Sequence, residues 1–272
     1  MPSCLGSIGV GKDSIIDVKR PAILFVGAGT GQAAMQTLSG LTGAEGVILD
    51  VSLSSLAYGK MMAQKMNIEG MDWRHGDLLQ LGEPGLGSIG LKRESFDVVE
   101  AVDVLGELED VSRGVAALKK MVKPGGVLHL GFGTTLVEER VKYARKIVET
   151  NGYEANVDGV RSFREHVLRL PHDDKVRETL TSSFEFYSVI GCQKLGFGNE
   201  NRVFDGGNTV SWSLLKQAIA ESGFDFLRAD ASPVKLSQYQ ARFPGQRETL
   251  EGWEALGTEG DEVFTFWVHA KY

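Results

Sequence analysis

From residue 22 onward, short apolar runs alternate with segments whose apolar residues recur at helical spacing. "AILFVGAG" reads as a buried strand ending in glycine, and "GQAAMQTLSGL" as the helix that follows it. "GVILDVS" is a second strand ending at Asp50. After it, Leu53, Leu56, Ala57, Met61 and Ala63 fall at the period of an amphipathic helix. A third strand in "MDWRHGDLLQL" ends near Gly76-Asp77, and "FDVVEAVDVL" is a fourth. "VSRGVAALKKMV" predicts a helix closed by Lys123-Pro124-Gly125-Gly126, before a fifth strand in "GVLHLGFG". Strand–helix alternation of this kind predicts an α/β fold, a mostly parallel sheet with helices on both faces.

The alternation breaks over residues 132–206. "LVEERVKYARKIVETNGY" and "DGVRSFREHVLRLPHDD" predict two helices, stopped at Asn151-Gly152 and Pro171, and "FEFYSVIGCQKLGFGNENRVFDGGNT" reads as mixed and irregular. The core pattern then resumes. "SWSLLKQAIAESG" is a helix capped by Ser211 or Ser213, "FDFLRAD" a sixth strand and "EVFTFWVHAKY" a last strand with Phe264, Phe266 and Val268 alternating. The expected organisation is one domain over 1–272. Its core is 1–131 and 207–272, and 132–206 is a mainly helical cap inserted at the strand ends where ligands of such sheets sit.

Composition narrows the function classes. The chain has 272 residues, 42% hydrophobic and 24% charged, with net charge −7. An acidic balance is expected to exclude a broad nucleic-acid grip, which needs clustered Lys and Arg. Cys4 and Cys192 fit no metal or redox spacing, and the five histidines show none either. No apolar stretch reaches the ~20 residues of a membrane span, and the first residues lack the apolar core of a secretion signal. A cytoplasmic protein with no membrane association is therefore expected.

The glycines of "GAGTG" carry the chemistry. A strand–glycine–helix turn lets backbone N–H groups face a nucleotide-like ligand. A nicotinamide dinucleotide turn needs glycine at 27, 29 and 32, but position 32 is Gln32 and the third glycine is Gly31. The phosphate-loop pattern is absent. Asp50, at the end of the second strand, can accept both hydroxyls of a ribose, and Asp77 an exocyclic amine of adenine. Together they describe an adenosine without phosphates whose small polar tail crosses the glycines.

The order of these segments resembles the class I S-adenosylmethionine-dependent methyltransferases: "FVGAGTG", "LDVS", "HGDLLQL", "FDVVEAVDVL" and "VKPGG" match five successive motifs of that family. The resemblance implies a Rossmann-like seven-stranded sheet with a reversed last strand. It also implies S-adenosyl-L-methionine as cofactor, held by Gly27, Ala28, Gly29, Gly31, Gln32, Asp50, Val51, Asp77, Leu78, Ala101 and Val102. "FYSVIGC", "ARFPG" and the terminal "FWV" are also similar to a bacterial branch often fused to tetratricopeptide repeats. That branch is commonly apolar at the position of Phe25 and often reads "VLHHLADP" after strand four. Here Gly106 and Glu107 replace the two histidines. Asp103 and Glu107 are the candidate catalytic groups, as general base or as partners of a cationic acceptor, and Asp103 alternatively holds the cofactor's α-amino group. Tyr187 is the candidate substrate-contacting residue. The small cap and acidic charge point to a small-molecule acceptor whose reacting atom is O, N or S. A protein or peptide methyltransferase and a non-catalytic cofactor-binding protein are the alternatives, with a nicotinamide oxidoreductase behind them. The glycine-rich segment before Trp212 is a lid or an ordinary surface loop, and an exposed sheet edge allows a homodimer.

Overall fold

A computed structural model describes residues 20–41, 43–81, 90–133, 135–197, 210–257 and 263–271. The N-terminal segment with Cys4, and residues 198–209 of the glycine-rich stretch, lie outside the described residues. The chain divides into two compact units. One holds the described residues up to Phe132 with Val210–Gly257 and Phe264 onward; the other holds Gly133–Thr209 with Thr258–Val263.

The first unit is built on a seven-stranded sheet in the order β3-β2-β1-β4-β5-β7-β6. Its strands are β1 (Ala22–Val26), β2 (Glu45–Asp50), β3 (Met71–His75), β4 (Phe96–Val102), β5 (Val122–Gly133), β6 (Phe224–Ala229) and β7 (Val263–Ala270). The first five are parallel, so β1, β2, β3 and β4 end at one edge, while β7 runs antiparallel to β6. The apolar runs are nearly continuous because both faces are covered. Alternation then sorts them. Ile23, Phe25, Ile48 and Val98 pack with Ala34 and Leu38 of α1 (Gln32–Ser39) and Leu56 of α2 (Leu53–Lys65). Leu24, Val26, Leu49 and Val99 pack with Val115 and Leu118 of α3 (Val111–Lys119), and their cluster reaches the later helices α8 to α10.

Lys123-Pro124-Gly125-Gly126 does not close a helix, as expected, but lies inside β5. The α3 helix stops at Lys119, and the β4–β5 register slips between Phe96 and Val98 to accommodate the segment. Gly125, at φ +75°, makes that bend. Asp97 anchors this end of the sheet, accepting from the Ala22 N–H at 2.9 Å and from Lys123 Nζ at 2.8 Å.

In the second unit α4 (Thr135–Asn151) and α5 (Val157–Arg169) match the two predicted helices. They are joined by α6 (Lys175–Thr181) and α7 (Val189–Gly196), the latter within sequence that reads as irregular. Phe163, Leu180, Phe186 and Cys192 form this unit's core, and the buried Arg140 guanidinium donates to the Thr179 carbonyl at 3.1 Å and to Ser182 Oγ at 3.0 Å. In the first unit α8 (Trp212–Glu221), α9 (Pro233–Arg242) and α10 (Leu250–Leu256) complete the fold. Among the described residues no helix is long and apolar enough to cross a membrane.

Candidate cofactor site

The turn after β1 is left-handed at all three glycines, with φ +65° at Gly27, +55° at Gly29 and +70° at Gly31. Each would strain a side chain for conformational reasons alone. Their surroundings differ. A Cβ on Gly27 would strike Val104, and one on Gly31 would sit 2.6 Å from Cη2 of Trp73. At Gly29 nothing lies within 4 Å. The side-chain positions of Gly27 and Gly31 are thus taken up by the protein's own side chains, whereas that of Gly29 is open; Gly27 is itself exposed, Gly29 half-buried and Gly31 buried. Trp73, on β3, is wedged against Gly59 of α2 as well, at 2.6 Å from the Cβ that glycine lacks.

The Asp50 carboxylate organises the turn. It is buried; Oδ2 accepts from the Gly29 N–H at 2.7 Å and Oδ1 from the Ser52 N–H at 2.7 Å. A carboxylate has about four acceptor positions, so each oxygen keeps one for a ligand hydroxyl. Val51 beside it is 54% exposed and Leu53 64%, two apolar side chains at the mouth of the strand. His75 Nε2 lies 3.0 Å from the Val51 carbonyl, and the Gly76 N–H donates to the Asp50 carbonyl at 3.1 Å. The ends of β2 and β3 are thereby tied together. Asp77 caps a single 3₁₀ turn, Leu78–Gln80, through one oxygen that accepts the Leu79 N–H at 2.8 Å.

At the end of β4, Ala101 is buried and Val102 half-buried; Leu78 is buried too. The Ala101 and Leu78 side chains belong to the core, which leaves their backbone for any ligand. Asp103 is exposed and holds φ +59°, a conformation that costs an ordinary residue about 1–3 kcal/mol and that concentrates at functional sites. Its N–H donates to the Gly131 carbonyl at 3.0 Å. Val104 follows, against Gly27, so the β4 end and the glycine turn are in contact. Glu107 is exposed on the 3₁₀ turn Leu105–Glu107. Ala28 is half-buried in the turn and Gln32 starts α1, whose first turn has neither a side-chain cap nor an acid. Tyr187 belongs to the second unit; it is 55% exposed and its hydroxyl donates to the Thr181 carbonyl at 3.1 Å.

A cavity of about 760 Å³ lies elsewhere, between β6, α9 and the segment Gln246–Thr249, and includes no residue of the glycine turn. Among the described residues no His, Cys, Asp and Glu group could hold a metal ion.

Residues 24–128, from β1 into β5, match the family described as a methyltransferase domain. The chain is 29% identical over 112 residues to a ubiquinone biosynthesis O-methyltransferase of Acinetobacter baumannii, covering 41% of this chain and 43% of that protein. An uncharacterised protein of Synechococcus is 27% identical over 161 residues, 58% of this chain and 37% of that one. The chain thus spans less than half the length of the curated relatives it matches. The fold is shared with PKMT2 from Rickettsia typhi, at TM-score 0.64 and 12% identity over 98% of this chain and 52% of that chain. The Rickettsia protein has also been solved in complex with AdoHcy.

Not legible in the sequence is a half-buried charged cluster that joins β4, β5 and the residues after β6. His129 Nδ1 is 3.1 Å from Glu100 Oε2, and Nε2 is 3.1 Å from Asp230 Oδ2, in ion-pair rather than hydrogen-bond alignment. Asp230 also accepts from Trp267 Nε1 at 2.8 Å and from Arg228 at 3.0 Å. The imidazole stacks on the Trp267 indole, with centroids 4.2 Å apart and planes 9° from parallel. The only sequence signal is a histidine in an otherwise apolar strand, which reads as structural.

Proposed function

We propose that the chain transfers the methyl group of S-adenosyl-L-methionine to a small-molecule acceptor. The observation that carries the cofactor assignment is the pairing of Gly29 and Asp50. At Gly29 the place of a side chain is open space, and Asp50 fixes that backbone while keeping acceptor positions for ribose hydroxyls. Gly27, Ala28, Gly31 and Gln32 shape the turn. Val51 supplies an apolar wall for the adenine, with Asp77, Leu78, Ala101 and Val102 on the adjoining strand ends. The match of residues 24–128 to the methyltransferase domain and the relatedness to an O-methyltransferase support the same chemistry.

The cofactor supplies a methyl group already activated on a sulfonium. The work of the protein is alignment of an acceptor with it and, for a hydroxyl or amine, removal of a proton. Asp103, which precedes the Val104 that meets Gly27, and the exposed Glu107 on the following turn are assigned that role; Asp103 alternatively holds the cofactor's α-amino group. The motifs "FYSVIGC" and "ARFPG", which carry the resemblance to the repeat-fused bacterial branch, lie outside the matched domain.

Calorimetric titration with S-adenosylhomocysteine tests the cofactor reading. Micromolar binding is expected, with its loss in Val51→Glu, an exposed position where the change spares the core. Absence of binding at millimolar ligand would sink the proposal. Asp103→Asn, which tolerates the left-handed backbone, separates the two roles of that residue. Lost affinity assigns it to the α-amino group; unchanged affinity with a lower kcat in an acceptor screen assigns it to the acceptor.

A further inference from the structure

Both ring nitrogens of His129 face a carboxylate oxygen at 3.1 Å, Glu100 on one side and Asp230 on the other. A neutral imidazole carries one N–H and one lone pair. In that form one of the two carboxylates would face a lone pair; only the imidazolium serves both. The charges around it favour the same form. Glu100 from β4 and Asp230 from the end of β6 are the anions facing the cluster, and Arg228 from β6 is its other cation, while β7 contributes the uncharged Trp267 indole. Loss of the His129 proton removes a positive charge from between two carboxylates in a half-buried place. A parallel stack on an indole also favours a cationic ring.

This cluster sits directly behind the glycine turn. Glu100 pairs in register with Phe25, two residues before Gly27, and with His129 itself. Three residues beyond Glu100, the Asp103 N–H donates to Gly131, two residues beyond His129. The next residue, Val104, fills the space beside Gly27. We infer that His129 is a positioning residue for this site: a resident imidazolium that clamps β4 to the β6 end and thereby fixes the backbone presenting Asp103, Val104 and the glycine turn. The inference rests on the reading of that turn as a cofactor site only for its effect on affinity; the clamp itself is a property of the protein alone.

The electrostatics agree. Burial pulls the His129 pKa down, but the two carboxylates beside the ring, Asp230 and the hydrogen-bonded Glu100, outweigh it and raise it above its ordinary value. Burial likewise pushes the Asp230 carboxyl up, and contacts with His129, Trp267 and Arg228 bring it below its ordinary value. Because the histidine pKa is raised in the folded chain, the clamp contributes fully below about pH 6.5, the unfolded value, and is lost as pH rises through the folded value.

The test follows imidazole and amide resonances of the full chain, without cofactor, from about pH 5.5 to 9, bracketing histidine titration. The His129 midpoint is expected above 6.5. The amides of Gly27 and Asp103 should shift with that midpoint, and Glu100→Gln should lower it and carry the amide shifts with it. S-adenosylhomocysteine affinity should fall about five-fold through the same interval, the lower range of ordinary site-to-site coupling. A midpoint at or below 6.5, or amides that do not follow the ring, overturns the clamp. An affinity that stays flat while the ring titrates overturns the positioning role. No binding at any pH instead removes the cofactor reading and leaves the amide shifts to judge the clamp.

Discussion

Three glycines spaced by two do three different things. Gly27 yields to Val104, Gly31 to Trp73, and Gly29 to open space. A methyl group at 31 therefore meets a packed indole as well as the left-handed strain, while one at 29 meets strain alone. Gly31→Ala is expected to cost about 2–4 kcal/mol of stability and Gly29→Ala about 1–2 kcal/mol. Gly29→Ala should be the one that weakens S-adenosylhomocysteine binding in excess of its effect on folding. Denaturant melts paired with calorimetry measure both, and the reverse ranking would contradict the assignment of the open side to Gly29. The pattern G-A-G-T-G showed that bulk is forbidden at these positions. It could not show what forbids it, because Trp73 and Val104 are distant in sequence.

At the level of elements, the local code was legible where the signal was local. Ser211 and Ser213 both stand near the start of α8, and the structure selects Ser211, whose hydroxyl accepts the Leu214 N–H at 3.2 Å. Ser211→Ala should lose about 1 kcal/mol in a urea melt, while Ser213→Ala, inside the first turn, should stay within a few tenths. Equal losses would mean the cap is not decisive. Lys123-Pro124-Gly125-Gly126 misled because a proline–glycine cluster reads as a stop signal, whereas a strand can absorb it as a bulge when the partner strand slips register. The α9 and α10 helices were unread for another reason. They are short, and α9 buries little besides Tyr239, which stacks near Trp253 of α10 at 4.7 Å. That packing forms only once both are brought to the sheet.

For the whole molecule, the two units have separate apolar cores. Trp73, Trp212, Trp253 and Trp267 all belong to the first, and Cys192 to the second. Burial pushes the Cys192 thiol up to about 11, so at neutral pH it is both shielded and protonated. In a Cys4→Ser background Cys192 should resist a disulfide reagent in the native protein and react fully in denaturant. Prompt reaction under native conditions would mean the second core opens readily. Cys192 labelling and tryptophan fluorescence then report the two cores independently.

The sequence by itself determined the alternation of β1 to β5 with their helices, the glycine turn, and Asp50 at a strand end. Each of these depends on residues adjacent in the chain, where periodicity and turn chemistry act over a few positions. Only the tertiary structure decided which glycine has open space where a side chain would stand, that Asp50 spends one acceptor position per oxygen on Gly29 and Ser52, and that His129 stands between two carboxylates. Glu100 on β4, His129 on β5 and Asp230 just past β6 are far apart in sequence. Their meeting is fixed by sheet order and register, and with it the charge that the histidine must carry.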